Sequence, residues 1–94
     1  MSTVILTRTG NTKHATNTLT KSLQLTKIGK GSVTVDIEVS NNNFFFFPIL
    51  TIELDNDTKT DGISNPNLSS WKYIRANVIE LSANMARLDI NDGL

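Results

Sequence analysis

The sequence predicts an all-β chain, a small antiparallel β-sandwich or jelly-roll-like domain of about six or seven short strands. Three observations predict it. Apolar and polar residues alternate in several runs, most clearly where Val33, Val35, Ile37 and Val39 oppose Thr34, Asp36 and Glu38. Threonine, serine and asparagine dominate the polar residues, which suits sheet surfaces and tight turns. Lysine and glutamate are too scarce for a solvated helix bundle. The chain has 94 residues, a length that suits one compact core. Residues 1–94 are therefore read as one β-sandwich domain, with 1–18 as an extended arm or edge region.

Residues 4–7 form a short first strand, and residues 10–17 are polar enough to loop or pair weakly. Leu19, Lys21, Leu23 and Leu25 share one parity, opposite Thr20, Ser22, Gln24 and Thr26. That is a half-buried strand with Lys21 near its edge or end. Gly29-Lys30-Gly31 marks a turn, because glycine adopts positive φ without a Cβ clash. The next strand carries only β-branched residues on its apolar face. Replacing Ile37 with Asp there should be severe, since an unpaired charge would enter the core. Ser40-Asn41-Asn42-Asn43 ends it.

Leu50, Ile52 and Leu54 line one face of a further strand, with Thr51, Glu53 and Asp55 opposite. Pro48 cannot donate to a central ladder, so it marks a bulge, an edge or a bend. Residues 55–62 hold a hairpin or loop with a short strand at Thr58-Lys59-Thr60, and residues 63–70 cross to the next strand. Pro66 restricts Asn65 and disfavours helix there. From Trp71 onward the pattern is double. Ile74, Val78, Leu81, Met85 and Leu88 repeat at helical spacing. Ile74, Ala76 and Val78, then Ala86, Leu88 and Ile90, alternate as two strands around Ser82-Ala83-Asn84. The strand reading is preferred, because Asn77, Ser82 and Asn84 are poor interior helix residues.

Composition narrows the chemistry. Nine basic and nine acidic residues cancel. No strong field draws the chain to nucleic acid, and little charge opposes self-association. There is no cysteine, which removes disulfides and thiolate metal sites. The start lacks the basic-then-apolar layout of a signal peptide. The longest apolar stretch, residues 44–50, is too short to span a bilayer, so no membrane partner is expected.

His14 stands in a polar segment and reads as solvated. No serine sits in a nucleophile elbow and no carboxylate pair is defensible, so no catalytic residue is assigned and the chain is read as a non-enzyme. Asp55, Asp57 and Asp61 could surround calcium if their loop curled, but the spacing lacks the glycine and glutamate of an EF-hand. A solvated turn is the better reading, and no metal or cofactor is assigned. Lys27, Lys30, Lys72, Arg75 and Arg87 are spread along the chain and matched by acids, which does not make a phosphate site. Asn56-Asp57-Thr58 and Asn67-Leu68-Ser69 match glycosylation acceptors only formally. Trp71 and Tyr73 offer either core packing or a stacking surface for a base or sugar.

The most unusual feature is four consecutive phenylalanines, Phe44, Phe45, Phe46 and Phe47. In a regular strand Phe44 and Phe46 would face one way and Phe45 and Phe47 the other. One pair would anchor the sandwich. The other would cover an open end or fill a pocket on a second subunit. Complete internal burial and a partner contact are both open at this level.

Several segments together resemble a family of small bacteriophage virion structural proteins, of the head-decoration, cement or tail-associated type. They are Gly31-Ser32-Val33-Thr34-Val35-Asp36-Ile37-Glu38-Val39-Ser40-Asn41, Leu50-Thr51-Ile52-Glu53-Leu54, Thr60-Asp61-Gly62, and Trp71-Lys72-Tyr73-Ile74-Arg75-Ala76-Asn77-Val78. The resemblance covers residues 19–90. It implies a β-sandwich that acts through protein contacts, without catalysis or cofactor. On this footing the chain is expected to be a capsid cement protein, bound between major capsid subunits as a homo-oligomer, a trimer by analogy. It would be made in the host cytoplasm and sit on the outer capsid surface of the virion. A neck, tail or fibre-associated protein is the close alternative, and a carbohydrate-binding sandwich the distant one. The phenylalanine block departs from the more polar turn of that pattern. Phe45, Phe47, Trp71, Tyr73 and Arg75 are the candidate contact residues, with the two phenylalanines filling apolar pockets and Arg75 making a salt bridge at their rim.

Overall fold

A computed structural model describes residues 2–12, 15–16, 22–64 and 71–91. His14, Leu19, Lys21, Pro66 and the Asn67 acceptor lie outside the described residues. The strands are β1 (Ser2–Leu6), β2 (Gly10–Asn11), β3 (Ala15–Thr16), β4 (Ser22–Ile28), β5 (Val33–Ser40), β6 (Phe47–Leu54), β7 (Thr60–Ser64), β8 (Tyr73–Leu81) and β9 (Met85–Asn91). Seven have five residues or more, and β2 and β3 are two-residue pieces. The described residues contain no helix.

All pairings are antiparallel. One sheet has the order β1-β9-β4-β7; the other is β2-β8-β5-β6, with β3 also on β8. Strands at the same place in the two orders follow one another in the chain. The sandwich is thus one antiparallel sheet of long strands, folded over along a crease. The crease crosses the chain at residues 7–9, 29–32, 55–59 and 82–84. Hydrogen bonds continue across it, from the Ser82 amide to the Ser32 carbonyl and from the Asn84 amide to the Ile28 carbonyl.

The alternating faces meet inside the fold. Leu6, Leu23, Leu25, Val33, Val35, Ile37, Val39, Ile52, Leu54, Ile74, Val78 and Leu88 are all buried. Each such side chain contributes about 1.5–3 kcal/mol relative to exposure. The outward residues of β5 are polar, whereas Ile5 on β1 and Ile28 on β4 are exposed apolar residues; the period-2 pattern sets register and face.

Two bulges explain where the pattern is irregular. Ile37 pairs with Leu50 and Glu38 with Pro48, which leaves Ile49 unpaired on β6. Pro48 therefore sits on an edge strand beside a bulge, as its missing N–H requires. On β8, Thr34 pairs with Glu80 and Val35 with Val78, which leaves Ile79 unpaired. Ile49 and Ile79 are both exposed. The β8 bulge and the crease together produce the helix-like spacing. The bulge separates Val78 from Leu81 by three residues, and the crease turn separates Leu81 from Met85 by four.

Two expectations need correction. Residues 55–59 take the loop alternative rather than the hairpin, and the short strand expected at Thr58-Lys59-Thr60 begins only at Thr60, as β7, which pairs with β4 in the other sheet. The crease carries the chain across at that point, which alternation does not reveal. Residues 44–46 are bend and coil rather than strand, so the four rings do not alternate.

Candidate functional site

The turn between β5 and β6 is built from polar side chains that satisfy the backbone. Ser40 is buried, and its Oγ accepts hydrogen bonds from the Asn42 and Asn43 amides at 3.2 and 3.1 Å. The same hydroxyl donates to Asn42 Oδ1 at 2.9 Å. That oxygen also accepts from the Phe44 and Phe45 amides, at 2.9 and 3.0 Å. Asn43 takes φ 63°, a left-handed position that asparagine tolerates. With its amides occupied, this turn has a defined shape before any partner arrives.

Its rings go to three places. Phe44 and Phe45 project outward and are 83% and 79% exposed. Phe46 folds back over the outer face of the sheet, where the Arg75 guanidinium lies 4.1 Å from its ring centre. Such an approach is attractive, because the ring face is negative. Phe47 stands edge-on to Trp71, with ring centres 5.0 Å apart and planes at 82°. Complete burial of the block is therefore not what forms. Rings on a three-residue coil cannot turn inward together while Ser40 and Asn42 hold its amides.

Trp71 and Tyr73 are both half-buried, and Trp71 packs against the hydrophobic core. With Phe47, which is 44% exposed, Trp71 covers part of the sandwich end away from the crease. Arg75 is not the free rim charge expected of it. Its Nε donates to Glu38 Oε1 at 2.7 Å, while Asn77 Nδ2 approaches Glu38 Oε2 at 3.4 Å. Glu38 is 7% exposed. The pair neutralises itself and supports Phe46 from below. Of the five contact candidates, Phe45 is thus the most exposed, Phe47 and Trp71 form one contact, and Arg75 lies on the outer face held by Glu38 and covered by Phe46. Phe44 was missed by parity reasoning, because it assumed a regular strand.

The other cations are dispersed as well. Arg87 Nε bonds both oxygens of Asp89, at 2.9 and 3.1 Å. Lys27 is 4% exposed at the crease, and its Nζ donates to the Gly31 carbonyl at 2.7 Å and to the Asp55 carbonyl. Asp55 Oδ1 accepts from the Asp57 and Thr58 amides at 2.9 and 2.8 Å. Hydrogen bonds from the Thr58 side chain and these amides, with a smaller effect of Lys27, hold its carboxyl below the ordinary value of 3.8. Among the described residues, no three His, Cys, Asp or Glu side chains gather as a metal site.

No protein-family model, no curated protein and no solved structure matches this chain.

Proposed function

We propose that this chain is a non-enzymatic phage virion structural protein, a decoration or cement protein that stabilises contacts between major capsid subunits. One observation carries the contact part of this reading. Phe44 and Phe45 stand in water on a turn whose backbone Ser40 and Asn42 already satisfy. Exposing two adjacent rings does nothing for folding, whereas aromatic anchors on a preorganised loop make effective contact centres. The position in a virion is supported by the resemblance of the strand segments and of residues 71–78 to small phage virion proteins. On a symmetric lattice, many weak copies of one such contact add through multivalency.

The test is binding to purified particles, followed by a reconstruction with side-chain detail. The wild-type chain should occupy junctions between major capsid subunits with Phe44 and Phe45 in an apolar pocket. The double variant Phe44→Ser, Phe45→Ser should fold and fail to bind. Equal occupancy by that variant overturns the contact surface. Density confined to the neck or tail replaces cement with the neck or tail reading.

A further inference from the structure

The edge strand β7 carries Asp61 directly before Gly62. The Lys27 amide donates to the Lys59 carbonyl, so the hydrogen-bonded pairs between β4 and β7 are Lys27 with Lys59, Leu25 with Asp61 and Leu23 with Ile63. Gln24 and Gly62 form a non-hydrogen-bonded pair between them. The Gly62 amide therefore points away from β4, toward the open edge of the sheet. There it donates to Asp61 Oδ1 at 2.8 Å. Both residues are exposed.

This contact sets a nucleophile beside an electrophile. A carboxyl oxygen held on the amide keeps the carboxyl carbon near the range of about 3–3.5 Å at which reacting atoms meet. Attack needs the Asp61–Gly62 peptide plane to turn so that the nitrogen faces that carbon. Glycine has no Cβ to resist the turn. The fold also selects glycine here, because a Cβ would lie 3.0 Å from the Leu23 carbonyl oxygen. Other aspartates among the described residues are less well placed. Asp36, Asp57 and Asp89 precede Ile37, Thr58 and Ile90, whose branched side chains crowd the nitrogen. Asp55 Oδ1 is held by the amides of Asp57 and Thr58, further along the chain.

We propose that Asp61-Gly62 is a self-modification site, at which the backbone cyclises to a succinimide and reopens as isoaspartate. The Gly62 nitrogen bonds to Cγ of the protonated Asp61 carboxyl. The Cγ–OH bond breaks, and the hydroxyl leaves with the amide proton as water. Water then adds to one of the two imide carbonyls. Opening at Cγ restores aspartate. Opening at the main-chain carbonyl routes the chain through the side chain and leaves isoaspartate. Nothing is oxidised or reduced, and water is the only other reactant. The product backbone has one extra methylene before Gly62. Ile63 and Ser64 then lose their register with Leu23 and Ser22. Leu23 belongs to the core, so the change loosens the β7 edge from within the chain and needs no virion partner.

Ageing the purified full chain at neutral pH and physiological temperature, followed by tryptic peptide mapping, tests the site. Cleavage after Lys59 and Lys72 isolates residues 60–72. Cleavage after Arg87 isolates Asp92-Gly93, the other Asp-Gly pair, which lies outside the described residues. The 60–72 peptide should split into two species of equal mass, one of them a substrate for isoaspartyl methyltransferase. A succinimide form, lighter by one water, should come before it. The modified fraction should grow at least as fast in the folded chain as in the same chain unfolded in urea. Asp61→Glu keeps the charge but lengthens the side chain beyond easy ring closure, and should cut the modified fraction about tenfold or more. The modified chain, once separated, should lose amide protection at Leu23 and Ile63 and keep it in β5 and β8. A folded chain that stays unmodified at residue 61 while the unfolded chain reacts overturns the proposal, because the contact then locks the amide. So does an equal reaction at Asp36, Asp57 or Asp89, or a modified chain in which Leu23 and Ile63 stay protected.

Discussion

In the crease turn at residues 55–59 and in the aromatic turn at residues 41–46, one Asx side chain caps the amides two and three residues further on. Asp55 does so for Asp57 and Thr58, and Asn42 for Phe44 and Phe45. The local device is shared, and the surroundings differ. At the crease the neighbours are other turns of the same folded sheet. Gly29 and Gly31 lie against Asn84 and Ser82, and the Lys27 ammonium ties the Gly31 and Asp55 carbonyls together. At the aromatic turn the Phe44 and Phe45 side chains stand largely in solvent. A capped turn serves the fold where its neighbours press inward, and it serves a partner where its side chains are left outside.

The largest effect is expected at the crease. Gly31 has φ +120°, and a Cβ there would approach the Ser82 carbonyl carbon to 2.6 Å and the Ala83 nitrogen to 2.7 Å. Gly31→Ala should cost roughly 3 kcal/mol or more, read from the denaturant midpoint. A change below 1 kcal/mol would mean the crease is loosely packed. Lys27→Met comes next. It keeps the length of the side chain and removes the donor to two carbonyls at the part-buried crease, at about 1 kcal/mol, by the same measurement.

Glu38→Gln tests the root of the aromatic turn. It should cost about 1 kcal/mol, since Arg75 is partly solvated, and it should broaden the Phe46 ring resonances. Unchanged ring signals would show that the ion pair does not hold Phe46 in place.

Acid separates the two capped turns. The folded pKa of Asp55 lies below 3.8, so its contribution is present above the ordinary carboxylate value and is lost as pH falls through the folded value. Amide protection at Asp57 and Thr58 should therefore decline there. Phe44 and Phe45 should keep theirs, because asparagine does not titrate. Asp89 adds to the acid loss at a second place. Burial raises its pKa, but hydrogen bonds from Arg87 and Thr3 and the Arg87 charge outweigh that, so it too ends below 3.8. Equal loss of protection at both turns would point to global unfolding instead. The smallest stability effect belongs to Phe44→Ser with Phe45→Ser, within about 0.5 kcal/mol, although these residues carry the proposed contact.

Much of the fold was legible in the sequence. The inward rows of β4, β5 and β8 read directly as Leu23 and Leu25, Val33 to Val39, and Ile74 to Val78. The burial of Lys27, which continues the parity of Leu23 and Leu25, was not read from the sequence, where its charge set it among the dispersed cations. Legibility stopped at the crease, because a sheet folded on itself keeps its alternation on both sides of the bend. It stopped again at Ile79, where the bulge shifts parity with no residue type that announces it, whereas Pro48 had marked the bulge beside Ile49. At the site, the sequence pointed to the phenylalanine block, with Phe45 and Phe47 as contact candidates, and to Arg75; it did not show that Phe44 would be exposed or that Glu38 would pair with Arg75.

The order of residues by itself determined that the chain would form strands, which faces of them would be oily, and that four rings would arrive together beside a turn. Those outcomes follow from local sterics and from the two-residue repeat of an extended backbone. Only the tertiary structure decided that most consecutive strands enter different sheets while β5 and β6 share one, that Glu38 claims Arg75, and that Phe44 and Phe45 remain outside. Each of these depends on groups far apart in the chain, here residues 38 and 75, and pairing at that distance is settled when the sheet closes over its core.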